Sequence, residues 1–212
     1  AILSSYGTIT FEHVLSYIWD QGVPVLPLRD AGAFHGACWR MNGRNVIVLK
    51  QQTRSLARWA HVALHEFSHA GEEPGSPSFA VVEAALEDRQ FQLQGEEQAA
   101  NGFAGNVLLD GRAEELAHRC AHEAGGRIPL LRSIVPRVAD REGVPVDALA
   151  NYLAYRLSLE GQNWWATAAT LQGKGADAWE LARNVFVERG QIDQLEQGDQ
   201  TALIQALGGE EG

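Results

Sequence analysis

An α+β fold is predicted, on three observations. Two short strand-like runs, residues 35–40 and 45–49, flank Met41-Asn42-Gly43-Arg44, and Asn-Gly between such runs is the strongest local hairpin signal. Residues 56–70 contain no Gly or Pro and alternate apolar and polar groups at helical spacing. From Ala113 onward the chain reads as one helix after another, without repeats. With 45% hydrophobic and 21% charged residues over 212 positions, the composition is that of a globular chain with a real core. That length fits one medium domain, alone or with a helical appendage.

Thr10 is placed to cap a helix through Phe11, Val14, Leu15, Ile18 and Trp19, stopped by Gly22. Residues 23–28 read as a short strand, which Pro24 and Pro27 restrict to an edge or a strand end. The hairpin then gives a small antiparallel sheet ahead of the 56–70 helix. A free edge of that sheet can accept an extended peptide by strand addition, or the sheet can simply cover the helix. Residues 71–77 are a loop by composition, and 79–93 are expected to be helical. Over 95–109, Glu97, Asn101 and Ala104 fall on one helical face, at i, i+4 and i+7. Further helices are expected over 113–124, 130–142 (kinked or interrupted at Pro136), 147–159 and 178–189.

Charge and cysteine usage exclude several function classes. The formal net charge is −10, and half of it lies in 191–212, which has five acids and no Lys or Arg. That tail is expected to be mobile, and the body is still acidic enough to repel phosphate, so direct nucleic-acid binding is not expected. No apolar run reaches the roughly 18 residues of a membrane span, and no basic-then-apolar leader opens the chain. It starts on Ala1 in place of Met, as a fragment or a processed product would. Cys38 and Cys120 form no framework, which suits a reducing cytoplasm. Cys38, in a strand-like run, is expected to be a small buried residue.

The chemistry concentrates in His65-Glu66-Phe67-Ser68-His69. Residues four apart on a helix sit one above the other, so both imidazoles can face one ion. Glu66 lies about 100° round from His65, near enough to polarise a water without ligating the ion. This is H-E-x-x-H, the zinc-peptidase pattern in which the Glu is general base. Zinc prefers four ligands with water in the last place, so a third protein ligand is required. Glu97 and Glu96, some 28 residues beyond His69, are both placed to supply it. His118 and His122, with Glu123, repeat the i, i+4 spacing but have no third ligand nearby and read as surface histidines. His61, Tyr152 and Tyr155 are candidate oxyanion donors, each with packing as the plainer role, and Trp164 and Trp165 read as covering groups.

These residues together resemble the ImmA/IrrE metallopeptidases, most closely the branch often fused to a HigA-like helix-turn-helix. The likeness rests on Gly36-Ala37-Cys38-Trp39 with Val46-Ile47-Val48-Leu49, on the His65–His69 motif, and on Glu97-Gln-Ala-Ala-Asn101-Gly-Phe103-Ala104. That last segment is similar to the family's E-x-x-A-N-x-F-A. A stretch from Gly143 to Leu157 looks like the helix that follows it. Ser68 stands where Gly is usual, His61 where an aromatic is common, and Leu108-Leu109-Asp110 where L-M-P is usual, so a different turn is expected there.

The resemblance implies a minimal gluzincin-like core: a short antiparallel sheet, the motif helix and the helix bearing the third ligand. This core would occupy residues 1–126, followed by an all-helical part over 127–190 and the acidic tail, 191–212. It implies that His65, His69 and Glu97 bind Zn2+, with Mn2+ also suited to such ligands, and that Glu66 activates water. It also implies a cytoplasmic peptidase that cleaves or inactivates a helix-turn-helix repressor or antitoxin in a stress or mobile-element response. The rival expectation is a non-catalytic, metal-containing module that sequesters a repressor or toxin.

Overall fold

The computed structural model describes residues 2–29, 34–72, 76–84, 95–173 and 175–208. Among these residues the fold is α+β, with ten α-helices and one four-stranded mixed sheet. The backbone separates into two compact units, one formed by 1–86 with 175–212 and the other by 87–174.

In the first unit, α1 (Ile2–Tyr6) leads into α2 (Phe11–Asp20), whose cap is Thr10: its hydroxyl accepts the His13 N–H at 3.2 Å. Phe11, Val14, Leu15 and Ile18 form the buried stripe of α2. The strands are β1 (Val25–Pro27), β2 (Phe34–Met41), β3 (Arg44–Leu49) and β4 (Phe79–Ala84), in the order β1-β3-β2-β4. Asn42 and Gly43 both have positive φ, 51° and 75°, so the hairpin turns where its sequence requires. β1 lies at an edge, as its prolines demand, but pairs parallel to β3. The sheet is therefore mixed and not purely antiparallel.

β4 corrects the expectation of a helix over 79–93. Residues 79–84 pair antiparallel with β2, matching Arg40 to Phe79 and Cys38 to Val81; the rest of that stretch, 85–93, lies outside the described residues. A short apolar run such as Phe79-Ala-Val-Val82 has no decisive period. The open backbone edge of β2, distant in sequence, decides it in favour of a strand.

α3 (Leu56–Ala70) packs on β2, β3 and α2. Its first turn is fixed by the Ser55 hydroxyl, which accepts the Arg58 N–H, and by Trp59, whose indole N–H donates to the Thr53 carbonyl at 2.8 Å. The remaining helix of this core, α9 (Ala178–Arg189), packs against β1 and α2, with Trp19 edge-on to Phe186. The acidic stretch expected to be mobile contains α10 (Gln197–Ala206). Beyond it the buried Leu207 gives its carbonyl to Arg183 of α9 at 3.1 Å.

The second unit is helical throughout its described residues: α4 (Gly95–Leu108), α5 (Ala113–Glu123), α6 (Leu131–Glu142), α7 (Val146–Leu159) and α8 (Trp165–Ala169). α4 meets α7 closely at Gly105, where any Cβ would overlap the Tyr152 ring. Asp110 and Gly111, both at positive φ, make the turn into α5. Of the kink or interruption expected at Pro136, the interruption does not occur: α6 runs through it as one helix. Only the bond that residue 136 would have donated to the Arg132 carbonyl is lost, while Ile134, Val135 and Val138 on either side remain buried. Gly143, at φ 65°, ends the helix. No helix among the described residues is long and apolar enough to cross a membrane.

Candidate metal centre

α3 carries the motif on its buried side. His65 and His69 are each 1% exposed and Glu66 0%. Their Nε2 atoms converge to 3.1 Å, with ring planes 72° apart. Two imine nitrogens each about 2.0–2.1 Å from a tetrahedral zinc stand roughly 3.3 Å apart, so the pair is near the spacing that such an ion needs. Two bare lone pairs at this distance would repel, which favours either a shared proton or a cation between them.

His69 is braced from behind. Its Nδ1 lies 2.9 Å from the Glu72 carboxylate, which can only accept, so Nδ1 donates there and Nε2 is the nitrogen left to meet an ion. Glu72 was not singled out by sequence, because it sits in a polar loop; its i, i+3 relation to His69 was the available signal.

On α4, burial separates the two acidic candidates. Glu96 is exposed and Glu97 is 4% exposed, on the face it shares with Asn101 and Ala104. The Asn101 amide donates to the Glu97 backbone carbonyl at 2.9 Å, tying the two successive turns. His65 and His69, buried in the first unit, and Glu97, buried in the second, together make a donor set that can hold a metal ion. The donor set of two imidazoles and one carboxylate fits a divalent ion that keeps a position for water.

Glu66 owes its place to a residue on the sheet. A Cβ on Gly36 of β2 would come 2.5 Å from Glu66 Oε1 and 2.6 Å from Val62 Cγ1. The missing side chain at Gly36 is thus the space that the Glu66 carboxylate occupies. Burial, reinforced by this carboxylate, pushes the neighbouring Cys38 thiol up to about 12 despite the opposing charge of Arg40. Cys38 is thereby a neutral packing group at physiological pH.

The remaining candidates fall into place. His61 is buried on α3, while His118 and His122 are exposed, His118 facing Glu114 at 3.9 Å. No second cluster of three metal ligands occurs among the described residues. Tyr152 donates its hydroxyl to Glu114 and is committed there. Tyr155 is buried, and burial chiefly, with the Glu114 and Glu97 carboxylates adding to it against Arg156, raises its phenol to about 12. Trp164 is buried and Trp165 partly so. Compared with family models, curated proteins and solved structures, the chain matches none.

Proposed function

We propose that this chain is a zinc-dependent endopeptidase of the ImmA/IrrE type with a gluzincin-like core. Its substrate would be a helix-turn-helix repressor or antitoxin in the cytoplasm. The observation that carries the reading is Glu66: a fully buried carboxylate next to a metal-ligand histidine, in a space left open by Gly36. A structural metal site needs ligands but no such base. The two free, buried cysteines suit a reducing compartment.

When bound by His65, His69 and Glu97, zinc supplies Lewis acidity that brings water into its reactive range and polarises a carbonyl. Glu66 accepts the proton of the attacking water and returns it to the leaving amide nitrogen as the C–N bond breaks. Glu72 keeps His69 in the tautomer whose Nε2 is a ligand. Burial of His65, Glu66, His69 and Glu97 keeps bulk water from competing for their hydrogen bonds.

Incubation of the purified protein with candidate helix-turn-helix repressors, followed by mass spectrometry, tests this reading. Glu66→Gln should retain metal and lose cleavage by about 10²–10⁴-fold. A Glu66→Gln protein that still relieves repression, with no fragments from either form, would establish the sequestering module in its place.

A further inference from the structure

Arg40, on β2, is 5% exposed, an unusual place for a guanidinium. Its donors reach the end of the motif helix. Nη2 donates to the Ala70 carbonyl at 2.9 Å and to the Glu72 carbonyl at 2.8 Å, Nη1 reaches the Ser76 carbonyl at 3.4 Å, and Nε donates to Asn45 Oδ1 at 2.8 Å. Asn45, the register partner of Arg40 on β3, turns its own amide to the same Ala70 carbonyl at 3.0 Å. The last carbonyls of a helix have no partners within it and carry its negative pole. A planar cation with five donors satisfies them from one side.

We propose that Arg40, with Asn45, is a positioning residue of the metal centre. It holds the backbone of residues 70–72 against the sheet so that the Glu72 carboxylate stays on His69 Nδ1. This rests on the metal-centre reading above. Glu72 stands outside α3, and its N–H donates to the His69 carbonyl at 2.9 Å. Arg40 adds a second hold on that backbone, through the Glu72 carbonyl. Lysine cannot replace it, because an ammonium is a point donor and does not span two carbonyls and an amide oxygen in one plane.

A double-mutant cycle on zinc affinity in the full-length protein, read by competition with a chromophoric chelator, tests the assignment. Circular dichroism accompanies each variant. Glu72→Gln should weaken zinc by about 10–100-fold, and Arg40→Lys should weaken it by a comparable factor. Combined, they should lose little more than Glu72→Gln alone, because both remove the same brace. Asn45→Ala, which leaves the guanidinium in place, should give a smaller loss of the same kind and carries the test if Arg40→Lys fails to fold. Wild-type-like zinc affinity in folded Arg40→Lys, or in Asn45→Ala where only that variant folds, would overturn the proposal. So would losses that multiply independently in the double variant. Absence of zinc binding by the wild type would overturn the metal-centre reading itself, a result distinct from either.

Discussion

Gly36 shows how a residue without a side chain can set the position of a buried carboxylate. Its hydrogen stands where a methyl group would collide with both Glu66 and Val62. Gly36→Ala is therefore expected to displace the Glu66 carboxylate. Misplacing a reacting group by about 1 Å costs on the order of 10²-fold in rate, and overpacking a buried site costs about 1–3 kcal/mol. Activity and thermal unfolding of this variant check both effects; unchanged cleavage would mean that Glu66 does not need that space. At this scale the sequence was partly legible. His65, Glu66 and His69 stood out because helical spacing converts directly into a shared face. The choice between Glu96 and Glu97 did not follow from spacing, since adjacent residues are both within reach until the helix is rotated against its neighbours. Arg40 gave no signal at all, because a charged residue in a short strand normally faces solvent.

Elements defined by local chemistry were legible: the Thr10-capped helix, the Asn42-Gly43 hairpin and the uninterrupted α3 all follow from their own residues. β4 was not, since its conformation depends on an edge some forty residues earlier, Arg40 pairing with Phe79. In the helical unit, α5 and α6 are joined by charges that composition alone could not pair. Glu142 takes hydrogen bonds from Arg141, Arg119 and Arg112. The Arg141 bond first, then the fields of Arg119, Arg141 and Arg112, hold the Glu142 carboxyl below the usual carboxylate range. A carboxyl lowered by folding stabilises the native state above its unfolded pKa, and that contribution disappears as pH falls through the folded value. Glu142→Gln should thus lower the melting temperature at neutral pH, with the gap to wild type closing as pH drops below about 4. A gap independent of pH would show that the carboxylate charge is not what joins these helices.

At the scale of the whole molecule, the chain returns upon itself. Residues 175–212 belong with the N-terminal sheet and helices, through α9 on β1 and α2. Composition read 127–190 as a helical part and 191–212 as an acidic tail, and nothing local records which distant strand a helix such as α9 will cover. The acidic balance of the chain was legible, as was the absence of any apolar run of membrane length among the helices of its described residues. The central claim of the proposed function is that two imidazoles of the first unit and the Glu97 carboxylate of the second bind one metal ion. Anomalous scattering at the zinc edge, from crystals grown with zinc, tests this most directly. One peak per chain is expected, bonded to His65 Nε2, His69 Nε2 and a Glu97 oxygen at about 2.0–2.2 Å. No peak at that point, or a bound ion with the Glu97 carboxylate turned away from it, would contradict the assignment.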